Sequence, residues 1–289
     1  MIAAAGQVSP DLSAAERRRL LLGAYVSMIG LAACTSPLAV CLTALSHSFP
    51  ELTTAGLGFL STVMLGGLVV GLLLAGPLAD HWGLRPFLIL GEALEALGLV
   101  AVGMAPTVPV LLAAVGLAGV GLGLIDGLTS PLVAELQPEQ RTRALNWLHA
   151  CYPLGFLAMG GVATVLLRAS GSWRLVFPAV SLPALVGMAI FLLSRFPRSP
   201  VQGEGLAALR AALPGPFLWI GAVGIFLAGA TELGISQWTP AYVERGLRHS
   251  REAGAVVVLA LAALMLVGRL SAGALAHRVR PARLMLAAS

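Results

Sequence analysis

Apolar residues run along this chain in long blocks, not at amphipathic helical or strand spacing. Eight blocks stand out, at 20–46, 55–79, 86–104, 108–133, 144–167, 175–194, 216–239 and 253–276. Each is long enough to cross a bilayer as a helix. A span in lipid must satisfy its backbone internally, which a helix does. The pattern therefore predicts an all-α, polytopic transmembrane bundle of about eight spans. Polar residues collect in short connections. The longest, 195–215, holds "RFPRSPVQGEGLAALR", rich in Pro, Gly and Arg. It separates six helices from two and is the natural domain boundary.

Composition agrees. The 289 residues are 58% hydrophobic and only 11% charged, with mean hydropathy +0.90. That charged fraction is about half that of a soluble domain. The net charge of +5 comes from arginine alone, with no lysine, and is spread over short loops. Such charge orients helices and does not suggest nucleic-acid binding. With the N-terminus cytoplasmic, the inner loops hold twelve arginines, among them Arg17, Arg18, Arg19, Arg85, Arg141, Arg143 and Arg195. The outer loops hold five: Arg168, Arg174, Arg245, Arg248 and Arg251. This bias satisfies the positive-inside rule and predicts a multi-pass protein of the cell (inner) membrane.

Cys34, Cys41 and Cys151 lie in apolar blocks without metal or redox spacing. They read as packed thiols. "RRRLLLGAYVSMIGLAAC" (17–34) has the basic start and apolar core of a signal peptide. The apolar run continues past Cys34, so a first transmembrane helix is the better reading. "GLAGVGLGLIDG" (116–127) places Gly119, Gly123 and Gly127 four apart. Small residues along one face let a neighbouring helix pack closely.

Two stretches repeat. "GLLLAGPLADHWGLRP" (71–86) aligns with "GRLSAGALAHRVRP" (268–281), matching Gly71 and Gly76 to Gly268 and Gly273. Parallel repeats mark transporters built from two six-helix halves. The first copy resembles the signature between helices 2 and 3 of the major facilitator superfamily, Gly-x-x-x-Asp-Arg-x-Gly-Arg-Arg. Gly76, Asp80, Gly83 and Arg85 match, whereas His81 and Leu84 replace basic residues. The resemblance implies a cytoplasmic gate at these residues and, in the second copy, at Gly273, Arg278 and Arg280. It also implies twelve helices. Residues 1–194 would then form the N-terminal six-helix half and 195–215 the central cytoplasmic loop. Residues 216–289 would form an incomplete C-terminal half with helices 7, 8 and the start of 9. The chain looks C-terminally truncated against that pattern.

A carboxylate inside a membrane span costs about 2.5–3.5 kcal/mol on insertion scales and marks an ion or substrate path. Asp126 in "GLGLIDGLTSPLVAEL" is one such group. Helix 4 runs inward and helix 5 outward, so His149 and Tyr152 reach a similar depth. A hydrogen bond between Asp126 and His149 is expected, with Asp126 carrying a proton. "IDGLTSPLVAEL" and "RALNWLHACYPLG" resemble the fucose:proton symporter branch. That resemblance implies roles for Asp126, Asn146, His149 and Tyr152, although Ala39 stands near the branch's helix-1 carboxylate. Glu232, Gln237 and Trp238 on helix 7 are the candidate path residues of the second half, and Trp238 suits either ring stacking or interface anchoring. Glu92 and Glu95 share one face of helix 3; pairing with a loop arginine is the favoured reading.

No P-loop, zinc motif or Ser/His/Asp set is present, and the Gly-x-Gly of helix 4 follows no strand. An enzyme is not expected, nor a cofactor beyond a coupling proton. "GFLAMGG" (155–161) has glycines but lacks the Gly-Pro of drug antiporters. The leading expectation is proton-coupled uptake of a small, sugar-like polar solute by alternating access. Export of a drug or metabolite is the alternative, and a non-transporting membrane sensor or inactive fragment is a third. The expected partners are that solute and the lipid bilayer.

Overall fold

A computed structural model describes residues 12–197, 211, 213–249 and 251–275, with the side chain of Thr54 and some of 232–258 excepted. Every regular element among them is helical. The helices are α1 (Ala14–Ser48), α2 (Thr54–Trp82), α3 (Leu84–Met104), α4 (Val108–Leu136), α5 (Arg141–Ser170), α6 (Trp173–Val180), α7 (Leu182–Leu192), α8 (Pro216–Ala241) and α9 (Arg251–Leu275). A π-helical turn, Tyr242–Gly246, follows α8. Six stretches are long and apolar enough to span a membrane: α1 to α5, and Trp173–Leu192 as the sixth. The seventh and eighth expected spans form helices of 26 and 25 residues.

The sixth span differs from its expected single helix. It breaks at Ser181, between α6 and α7. Pro183 has no N–H to return to Ala179, and Pro178 has already removed another donor. Ser181 heals the gap by donating its hydroxyl to the Pro178 carbonyl at 2.7 Å.

The centre of the described bundle is α4, with α2 and α3 packed along it; α1 lies mainly against α5 and α7. The glycine face does the work the sequence suggested. A Cβ on Gly119 would strike the Met64 carbonyl of α2, and one on Gly123 the Leu68 carbonyl. From the other side, Gly67 and Gly71 of α2 meet the backbone of α4 at Gly116 and Val120. Helices α1 and α5 approach in the same way, with Gly155 against the backbone of Ile29 and Gly160 against the Ser36 hydroxyl. Two of the three glycines of "GFLAMGG", Gly155 and Gly160, thus serve packing. Where no hydrophobic effect drives helices together, such contacts supply dispersion energy and fix depth.

Polar groups secure the two ends. At one end Arg174 donates to the carbonyls of Ala105 (2.7 Å) and Gly103 (3.3 Å), closing the last turn of α3. Trp173 donates to Ser48 at 2.7 Å, tying α6 to α1. At the other, arginine-rich end, Arg85 donates to Leu192 (2.9 Å) and Arg19 to Leu193 (3.2 Å). Both guanidiniums meet the carbonyl terminus of α7, where positive charge is favoured.

Candidate functional site

Asp126 is half-buried on α4, ten residues before the helix ends at Leu136, hence about 15 Å deep. That is one turn deeper than an end near residue 133 would place it. Ser130 lies one turn nearer the arginine-rich end, on the same face. His149 of α5 meets Ser130, Nε2 to Oγ at 3.3 Å, and lies close enough to Asp126 for a direct electrostatic interaction. Tyr152 stands one turn along α5 from His149, and its hydroxyl lies 3.4 Å from Thr35 Oγ1 on α1. Asp126, Ser130, His149, Tyr152 and Thr35 thus form a line of polar groups on three helices inside an apolar bundle, hydrogen-bonded between Ser130 and His149 and between Tyr152 and Thr35. Asp126, His149 and Tyr152 were legible in the sequence; Ser130 and Thr35 were not. A sequence reading expects a direct Asp126–His149 hydrogen bond. In the structure, Ser130 stands beside the imidazole as its hydrogen-bond partner.

Asn146 does not join this line. Its amide donates to the Thr142 carbonyl of its own helix at 2.9 Å. With Trp147 it forms the surface against which Gly273 of α9 packs, where an added Cβ would lie 2.6 Å from Trp147 Cδ1. Arg143 covers the Trp147 ring from 4.2 Å. Glu232, Gln237 and Trp238 fall on α8, but their side chains lie outside the described residues.

The signature between α2 and α3 is partly explained. Gly83 turns the chain with φ +85°, a left-handed conformation that disfavours any Cβ. Arg85, just after it, is aimed at Leu192. Asp80 is half-buried, and Gly76 has open space beside it among the described residues. The two repeat copies use different glycines for close approach: Gly71 packs in the first, Gly273 in the second. Arg278 and Arg280 lie outside the described residues.

Glu92 and Glu95 overturn their expected role. Both are fully buried, and neither meets a loop arginine among the described residues. Their partners are α1, through Cys34, whose Sγ lies 3.9 Å from Glu95 Oε1, and α7, through Gly187, where a Cβ would lie 2.6 Å from Glu92 Oε1.

The family model of the Major Facilitator Superfamily matches residues 20–289. The chain belongs to that superfamily. It is a transporter fold and not an enzyme fold. Among curated proteins, the chain is 30% identical over 175 residues to multidrug resistance protein Stp of Mycobacterium tuberculosis, covering 60% of this chain and 32% of Stp. It is 30% identical over 213 residues to the trichothecene efflux pump TRI12 of Fusarium sporotrichioides, covering 70% and 34%. It is 26% identical over 164 residues to D-xylose-proton symporter-like 1 of Arabidopsis thaliana, covering 55% and 33%. These matches span about a third of each relative's length. In fold, this superfamily member resembles the proton:xylose symporter XylE bound to 6-bromo-6-deoxy-D-glucose, with TM-score 0.68 and 18% identity over 92% of this chain and 70% of that one. A partially occluded inward-open XylE from E. coli gives TM-score 0.62 at 18% identity, covering 90% and 70%.

Proposed function

We propose that this superfamily member takes up a small polar, sugar-like solute across the cell membrane together with a proton, by alternating access. The line of polar groups from Asp126 to Thr35 carries the reading. An apolar bundle gains nothing in stability from a half-buried carboxylate unless water, a polar partner or a proton offsets its cost. In this reading Asp126 binds the coupling proton. His149, steadied by Ser130, supplies the charge that senses it. Tyr152 and Thr35 offer hydroxyls to the solute from α5 and α1. A sugar-like solute fits hydroxyl-rich recognition, and it draws support from the symporter names among the relatives. The finer likeness to the fucose:proton branch belongs to the same proposal. Asp80, Gly83 and Arg85 act as a gate: the grip of Arg85 on the end of α7 forms in one state and releases in the other.

Export is the second reading, favoured by the efflux names of Stp and TRI12. One experiment separates the two. The chain is purified, reconstituted into vesicles and screened against sugars, polyols and cationic dyes with a pH-sensitive reporter inside. Symport moves protons in the same direction as the solute; antiport moves them oppositely and selects the export reading. Asp126→Asn is expected to abolish the proton flux while solute binding persists. Undiminished proton-coupled uptake in that variant removes Asp126 from the mechanism.

A further inference from the structure

Glu92 and Glu95 lie in the middle of the first six helices, apart from the line of polar groups around Asp126. They project from one face of α3 into the junction of α1, α4 and α7, and both have zero exposure. Three of their four carboxyl oxygens, Glu92 Oε1, Glu92 Oε2 and Glu95 Oε2, have no hydrogen-bond partner among the described residues. The fourth lies beside the Cys34 thiol at 3.9 Å. The two carboxyls are near enough to interact electrostatically.

The surrounding helices make room for them. Gly187 of α7 lies where a Cβ would be 2.6 Å from Glu92 Oε1, and Gly30 of α1 where one would be 3.6 Å from Glu95 Oε1. A Cβ on Gly121 of α4 would strike the Glu95 backbone nitrogen. Only at Gly187 would a Cβ collide with a carboxyl; Gly30 meets Glu95 at ordinary contact distance, and Gly121 lets α4 lie close along the α3 backbone.

We propose that Glu92 and Glu95 form a proton-binding site in the core of the six-helix half, loaded with at least one proton in the conformation seen here. Among the described residues, the groups that face the pair include no cation. From α1 come the Ser27 hydroxyl and the Cys34 thiol, from α7 Gly187, and from α4 Gly121 against the backbone of α3. Arg174 of α6 is bound to the carbonyls at the far end of α3, about 12 Å along the helix from Glu95. Asp80 and His81 of α2 lie at the opposite end, beside the α2–α3 turn, and Asp126 points to α5. An ionised pair would therefore bury two like charges without a cation, which is prohibitive. Protons resolve this, because a carboxylic acid is itself a donor. A protonated Glu92 can donate to Ser27 Oγ, whose own hydrogen goes to the Gly23 carbonyl at 2.8 Å. A protonated Glu95 can donate to Glu92. Loosening of the α1–α3–α7 junction would admit water and release a proton; re-closure would recapture it.

The test does not depend on a transport substrate. Infrared spectra of the full chain in lipid membranes resolve the C=O stretch of a protonated carboxyl from the carboxylate bands. An Asp126→Asn, Glu232→Gln background removes the two other acids that the apolar blocks place deep within spans. In that background a protonated-carboxyl band is expected at neutral pH, lost reversibly on alkaline titration. Glu92→Gln and Glu95→Gln, which keep the shape of the side chain, should each shift or remove it. Should either variant fail to fold, the titration of the Asp126→Asn, Glu232→Gln protein alone still decides. A spectrum of carboxylates only at neutral pH overturns the proposal, and so does a band that no alkaline pH can remove.

Discussion

Glu16 and Asp126 are both acids on helices, yet their surroundings set opposite tasks. Glu16 caps α1: the Ser13 N–H donates to Glu16 Oε2 at 2.9 Å, and the Glu16 N–H donates to Ser13 Oγ at 3.2 Å. The Ser13 backbone hydrogen bond, followed by its hydroxyl, holds the Glu16 carboxyl below its usual range. A depressed acid adds stability above its unfolded value and loses it as pH falls through the folded one. The first turn of α1 should therefore fray only below the ordinary glutamate range, read as a loss of protection, relative to the intrinsic exchange rate at each pH, at the Glu16 and Arg17 amides. Ser13→Ala should show that loss already at neutral pH; equal protection in both proteins would disprove the cap. Asp126 was conspicuous in the sequence because nothing else nearby is charged. Ser130 and Thr35 were not, for a physical reason. Hydroxyls in these helices commonly bond back one turn, as Ser27 does to Gly23, Thr164 to Gly160 and Ser194 to Ile190. Sequence spacing cannot distinguish those from the hydroxyl that reaches a neighbouring helix.

Helices in this protein are positioned by what their glycines allow. The four-residue spacing at Gly119, Gly123 and Gly127 announced a close contact, and α2 is the helix that makes it. Which glycines matter is not legible from spacing, since Gly161 sits in a similar run yet has nothing within 4 Å among the described residues. The difference yields a paired prediction. Gly161→Ala removes backbone freedom at no steric cost and should be neutral or stabilising by about 0.5–1 kcal/mol. Gly123→Ala must push α2 and α4 apart and should lose about 1–3 kcal/mol. Thermal unfolding of the detergent-solubilised variants measures both, and equal melting temperatures would refute the packing account. The same limit explains the misjudged Glu92 and Glu95. Their shared face followed from a spacing of three, but the room for the Glu92 carboxyl comes from Gly187, distant in sequence and on another helix. The break at Ser181 was equally hidden, because Pro178 and Pro183 lie within one unbroken apolar run.

Across the whole molecule the apolar blocks were the most legible feature. Each of the eight expected spans coincides with helix, with ends within a few residues, because hydrophobic length is a direct physical requirement of the bilayer. The direction in which the bundle is threaded rests on arginine alone. In the structure Arg19 and Arg85 gather at one end around the terminus of α7, and Glu139 lies exposed in the α4–α5 connection at that same end. Pro106 lies exposed in the α3–α4 connection at the other. If positive charge holds the arginine-rich end in the cytoplasm, the two connections must face opposite compartments. A cysteine-free background, Cys34→Ser with Cys41→Ala and Cys151→Ala, lets each be probed singly. Pro106→Cys should react with a membrane-impermeant maleimide in intact cells. Glu139→Cys should react only after the membrane is opened. The reverse pattern would invert the topology, place the Arg85 contact on the outer face and remove the basis for calling it a cytoplasmic gate. Labelling of both from outside would mean that the connections do not lie on opposite sides, and the alternating threading of α3, α4 and α5 would fail with it.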